Sequence, residues 1–97
     1  MSNVCAAIGL GQLEELSARV RRKRFIVDFY KRELSSINQI SFLEEYPGSF
    51  SNYWLTTILL DKNSTIDREQ LRLHLEKDNI ESRPLWKPMH LQPVFKS

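Results

Sequence analysis

From Asn3 to Asn38 the chain carries no proline, and from Leu13 its apolar residues follow a helical stripe. Leu13, Leu16, Val20, Val27, Tyr30, Leu34 and Ile37 recur at alternating three- and four-residue steps, with Lys23 at the one missed position. That is the spacing of a single helix face. Phe25, Ile26 and Phe29 widen the stripe beyond a coiled-coil seam, so a core-facing helix is preferred over a self-associating coiled coil of about three heptads. A continuous helix of roughly 35 residues would reach about 50 Å, whereas a compact globule of this size has a radius of gyration of about 12–13 Å. Such a helix must break, protrude, or lie against protein outside the chain. The segment Val4–Leu13 favours the last outcome. Its part Val4–Gly11 is apolar and small on every side and includes Gly9 and Gly11, and a helix apolar all round is buried all round. The expectation is a piece of a larger protein.

The chain of 97 residues allows one small domain. Its 41% hydrophobic and 27% charged content excludes wholesale disorder. Val4–Leu13 is too short for a membrane span and lacks the basic lead of a signal peptide. A lone cysteine, Cys5, forms no internal disulfide and favours a reducing, cytoplasmic setting. A net charge of +2 does not call for nucleic acid.

The middle of the chain reads as strand. Gln39–Leu43 is a short edge candidate, and Pro47-Gly48 is a turn signal. The run Asn52–Leu60 has nine uncharged residues of high β propensity and is expected to form the central strand. A second helix then opens at Asp67, with Gln70 in the capping-box position and Ile66 and Leu71 as a hydrophobic staple. Asn79 suits the left-handed residue that ends a helix. Ile80–Arg83 reads as a short strand stopped by Pro84. The tail from Pro84 to Phe95 concentrates three prolines with Trp86, Met89, His90 and Phe95, which excludes a long helix or central strand and suggests an ordered loop that covers something. Together these readings predict an α+β fold: a long helix, two or three mostly antiparallel strands, and a second helix packed on one face of the sheet.

Candidate chemistry is sparse. Gly9 and Gly11 lack the preceding strand of a phosphate loop, and Cys5, His74 and His90 have no metal-ligand spacing. A Cys5–His90 nucleophilic pair has no support from spacing. Arg19–Arg24 holds the one charge cluster, read first as a solvated helix surface and alternatively as a site for an acidic partner. Arg83, Trp86, Lys87 and His90 fall within eight residues of proline-rich loop. Cation, indole and imidazole together suit an anionic ligand carrying a sugar or ring, with simple packing as the competing account.

Three segments, in order, carry a family resemblance: Asn3-Val-Cys-Ala-Ala-Ile-Gly-Leu-Gly-Gln-Leu-Glu, Asn52-Tyr-Trp-Leu-Thr-Thr-Ile-Leu-Leu-Asp, and Ile80-Glu-Ser-Arg-Pro-Leu-Trp-Lys-Pro-Met-His-Leu-Gln-Pro-Val-Phe. The chain resembles the pyridoxal-phosphate-dependent nucleotide-sugar aminotransferases of the DegT/StrS group. Its tail is most similar to the subgroup that aminates UDP-linked keto-deoxy sugars for bacillosamine, pilin and other surface glycans or lipopolysaccharide. The resemblance implies a fold-type-I enzyme, a homodimer with a large cofactor domain and a small C-terminal α+β domain, of which this chain matches the start. It implies that the Schiff-base lysine and the aspartate facing the pyridine nitrogen belong to the large domain. Lys87 is therefore not proposed as the Schiff base, and the chain alone is expected to hold no pyridoxal phosphate and to be inactive. Its implied contribution is part of the substrate wall, through Trp86, Lys87, His90 and Arg83, and part of the dimer surface. The reading from a different class is a stand-alone interaction module that binds an acidic partner through Arg19–Arg24.

Overall fold

The computed structural model describes residues 2–95. Helix α1 runs from Asn3 to Glu33, strand β1 from Ile40 to Phe42, strand β2 from Ile58 to Leu60 and helix α2 from Arg68 to Lys77. Two single 3₁₀ turns follow, Met89–Leu91 and Pro93–Phe95. This is α+β, with one two-stranded antiparallel sheet. The chain divides into two compact units that meet in sequence at Leu59–Leu60.

In the first unit, the Ser2 side chain caps α1 by accepting from the Cys5 N–H at 3.3 Å. The helix ends four residues before Ile37. The Leu34 N–H still reaches the Tyr30 carbonyl, but those of Ser35 and Ile37 make tighter three-residue closures onto Arg32 and Leu34. Leu34 is thus the last position of the helical stripe, and Ile37 leaves it at a turn.

Cover is uneven along α1. Val27 is the one fully buried side chain among the described residues, at 2% exposure. Around it the half-buried positions on this face are Val20, Arg24, Lys31 and Leu34. The expected member Tyr30 and the missed position Lys23 are exposed, as are Phe25 and Phe29, while Ile26 is half-buried. Every position from Asn3 to Arg19 is also exposed, so this chain supplies no cover for the apolar opening.

The nine-residue central strand is not formed. Only Ile58–Leu60 is strand, and a two-stranded sheet has no centre. The cause is local. The Ser51 hydroxyl accepts from the Tyr53 N–H and the Asn52 side-chain oxygen from the Trp54 N–H, each at 3.0 Å. Tyr53 sits at φ 45°. Short polar side chains that bond nearby backbone offer an alternative to the ladder, and here they override aromatic β propensity. The Pro47-Gly48 turn forms as expected: Gly48 takes φ 81°, and the Ser49 N–H donates to the Tyr46 carbonyl at 2.9 Å.

In the second unit α2 carries the full capping box. Asp67 accepts from the Glu69 and Gln70 N–H groups at 2.8 Å, and Gln70 accepts from the Asp67 N–H at 2.9 Å. Asn79 ends the helix at φ 57°. Its N–H and that of Ile80 bond the Glu76 and Leu75 carbonyls, both at 3.0 Å, which is the Schellman pattern. This closure commits Ile80 to the helix end, and Ile80–Arg83 is not a strand.

Candidate substrate-binding site

Of the four predicted site residues, Trp86, Lys87 and His90 lie on the segment after Pro84, and Arg83 immediately precedes that proline. Trp86 is 72% exposed, and Leu85, Lys87, Met89 and His90 are exposed beside it. Within this unit the tail therefore covers no core. Pro88 precedes the turn Met89–Leu91, and Pro93 opens the next. Fixed φ at these positions predisposes the chain to short turns. Between them Gln92 braces the loop. Its N–H donates to the Met89 carbonyl at 3.0 Å and its side-chain amide to the Lys87 carbonyl at 3.2 Å. Trp86, Lys87 and His90 share one braced, outward-facing loop. Arg83 is engaged elsewhere, in an ion pair with Glu81 at 2.6 Å.

A second cluster was not legible as a unit in the sequence. Arg24, the last residue of the basic run, turns inward against the loop 45–53. Its guanidinium donates to both Glu45 carboxylate oxygens, at 2.8 and 3.0 Å, and to the Ser51 carbonyl at 2.6 Å. It also lies over the Phe50 ring at 4.3 Å and the Tyr53 ring at 5.2 Å. Glu45 additionally accepts from the Ser51 N–H. The Arg24 hydrogen bonds, followed by that from Ser51, pull the Glu45 carboxyl from an ordinary 4.5 to about 2. Lys31 pairs with Glu44 at 2.6 Å, which raises its ammonium above the ordinary range, and it approaches Tyr53 at 6.0 Å. The signal that could have pointed to this cluster is a charged residue at a covered stripe position.

The Arg19–Arg24 run is therefore not one uniform surface. Arg24 is committed within the chain, and Arg19, Arg21, Arg22 and Lys23 are exposed. His74 is exposed on α2, and Cys5 is exposed near the start of α1. Neither is near-neighbour to a metal-ligand set, since no group of three potential ligands occurs among the described residues.

Beside the Arg24 cluster is an open depression of about 230 Å³, lined by Leu43, Glu44, Glu45, Tyr46, Ser51 and Tyr53 among others. Two carboxylates at its wall oppose a phosphate. The α2 N-terminus, a natural anion seat, already holds the Asp67 carboxylate. Lys31 is kept as an ammonium by Glu44, the opposite of what a carbonyl-attacking lysine needs. None of these three places fits pyridoxal phosphate.

A family model described as the DegT/DnrJ/EryC1/StrS aminotransferase family matches residues 1–97. The chain belongs to that family. Aminotransferases of the family depend on pyridoxal phosphate and act on nucleotide-linked sugars. Among similar proteins is EpsN of Bacillus subtilis (strain 168), provisionally named a pyridoxal phosphate-dependent aminotransferase, at 45% identity over 96 residues. The GDP-perosamine synthase of Vibrio cholerae is 40% identical over 95 residues. These alignments cover 98% of the chain and 24% and 26% of the two relatives. The dTDP-4-amino-4,6-dideoxy-D-glucose transaminase of Shigella dysenteriae is 32% identical over 89 residues, 92% of the chain and 24% of that protein. The chain thus spans about a quarter of the length of the relatives it matches. No helix among the described residues is long and apolar enough to cross a membrane.

Proposed function

We propose that the chain contributes the substrate-facing loop of a cytoplasmic, pyridoxal-phosphate-dependent aminotransferase that aminates a nucleotide-linked keto sugar. The observation that carries this reading is the family match over the whole chain, with relatives named for GDP- and dTDP-linked amino sugars. The position within the small C-terminal domain of such an enzyme belongs to the same proposal. A UDP-linked keto-deoxy sugar for surface or pilin glycan, implied by the tail's resemblance, is the substrate to test first. Trp86, Lys87 and His90 form the binding surface: the indole offers a flat apolar face, and the ammonium and imidazole offer donors to a diphosphate. Arg83 joins them once a competing anion releases it from Glu81. Gln92 and the prolines hold the loop ordered before binding, which lowers the entropic cost of capture. In this reading the cofactor seat and the chemistry on the amino group belong to the rest of such an enzyme, as the family resemblance implies.

The test uses the polypeptide translated from the complete reading frame, assayed with UDP-, GDP- and dTDP-linked keto sugars and an amino-acid donor. Trp86→Ala and His90→Ala are expected to raise the KM for the sugar nucleotide while cofactor absorbance stays intact. Unchanged kinetics in both variants would remove this loop from the substrate site.

A further inference from the structure

The loop that carries the proposed binding surface is organised around a polar side chain. Among the described residues from Arg83 to Phe95, Gln92 alone is drawn in to half-burial, while Leu85, Trp86, Met89, Val94 and Phe95 are all exposed. Apolar packing therefore does not set the shape of this loop. Hydrogen bonds do, and Gln92 engages three times. Its side-chain amide donates to the Lys87 carbonyl at 3.2 Å and its backbone N–H to the Met89 carbonyl at 3.0 Å. Its own carbonyl accepts from the Phe95 N–H at 3.0 Å. The side-chain bond closes a ring over residues 87–92. Inside the ring the Leu91 N–H donates to the Pro88 carbonyl at 2.9 Å, and Pro88 itself holds φ −54°. Lys87 supplies the acceptor that closes the ring, and His90 lies on the 3₁₀ turn within it. The relative placement of these two residues thus rests on one amide.

We infer that Gln92 is a positioning residue that sets the spacing between Lys87 and His90 and so selects a diphosphate over a monophosphate. The inference rests on the reading of this loop as the sugar-nucleotide surface, and it names what that surface discriminates. Two donors three positions apart can each take one phosphate group of a diphosphate. Such a two-point contact gains from donors whose separation is set before binding, because less ordering remains to be done at capture. A monophosphate needs one donor at a time and is indifferent to the separation. Specificity is a difference of two affinities, and here the difference lies in the second contact. Gln92 itself is assigned no phosphate. It acts through the backbone of Lys87 and through the turn that carries His90. Replacing it should therefore alter substrate capture and leave the chemistry on the bound sugar unchanged.

The test uses the enzyme translated from the complete reading frame. Gln92→Met keeps the length of the side chain and removes its donor. It should raise the KM for the sugar nucleotide about three- to tenfold, the worth of one neutral hydrogen bond, with kcat and cofactor absorbance unchanged. As competitive inhibitors, the nucleoside diphosphate of the substrate should weaken by the same factor, and the corresponding monophosphate by less than about twofold. In a Lys87→Met, His90→Ala background, where neither donor remains to be spaced, Gln92→Met should add nothing to KM. A loop that had merely come loose would still raise KM there, through Trp86. An unchanged KM in Gln92→Met, equal weakening of both nucleotides, a fall in kcat alone, or full additivity in the donor-free background would each overturn the inference. If Trp86→Ala and His90→Ala raise KM while Gln92→Met does not, this inference falls alone. If none of the three raises it, the reading of the loop falls as well.

Discussion

Replacing Arg24 by methionine tests how the first unit holds its loop to α1. Methionine keeps much of the unbranched stem and removes the guanidinium. The lost contacts are the paired bonds to Glu45, the bond to the Ser51 carbonyl, and the stacking over Phe50 and Tyr53. The pair is part-buried, with side-chain exposures of 30% and 23%. Its fingerprint is the titration of Glu45. Held chiefly by Arg24, then by the Ser51 N–H, the carboxyl should titrate near 2 in the folded chain. In Arg24→Met the midpoint should climb most of the way back to the ordinary 4.5, falling short by what the Ser51 N–H and the Lys31 charge still contribute.

The sign of the linked stability follows. Glu45 is held below its unfolded value, so its contribution is complete above about pH 4.5 and is lost as pH falls toward 2. Acid should loosen loop 45–53 in the wild-type chain, and this component should disappear in Arg24→Met. The assay is carbon-13 NMR of the glutamate side-chain carboxyls across an acid titration. Arg24→Lys should give an intermediate midpoint, because lysine retains charge without the planar fork. A wild-type Glu45 that titrates at an ordinary value, or a midpoint indifferent to Arg24→Met, would refute the latch.

Two further perturbations address the fold. Val27→Ala removes two methyl-sized groups from the one fully buried position and should cost about 2 kcal/mol in urea unfolding; a loss near zero would mean that Val27 does not anchor the unit. Gly48→Ala meets open space but must adopt φ 81°, so a cost of about 1–2 kcal/mol should come from the backbone alone. Gly48→Asn should recover most of it, and equal costs for alanine and asparagine would contradict that account.

The parts of the fold legible in the sequence are those set by contacts within a few residues. The Asp67–Gln70 capping box, the Asn79 helix end and the Gly48 turn are all closed by partners no more than five positions away. The β run Asn52–Leu60 failed at the same range, because its propensity is an average preference, whereas Ser51 and Asn52 bond particular N–H groups. The candidate site was legible as a composition of Trp86, Lys87 and His90. Its brace at Gln92 was not, since nothing distinguishes that side chain until the carbonyl it reaches is placed.

The α1 face shows a deeper ambiguity. Val20–Lys23–Val27–Tyr30–Leu34 and Val20–Arg24–Val27–Lys31–Leu34 both alternate three- and four-residue steps, and they differ by about one residue's rotation at two positions. Apolarity selects the first because it includes Tyr30. The fold selects the second because Arg24 and Lys31 find carboxylates at Glu45 and Glu44, 21 and 13 residues away. Half-burying a cation is costly unless a partner is supplied, and the partner here comes from the loop the cation holds. Periodicity can propose a face, but a distant carboxylate chose this one. The same separation leaves Phe25 and Phe29 on the outer side of the helix, where Arg22 and Arg32 of the same helix lie over their rings at 5.1 and 5.3 Å.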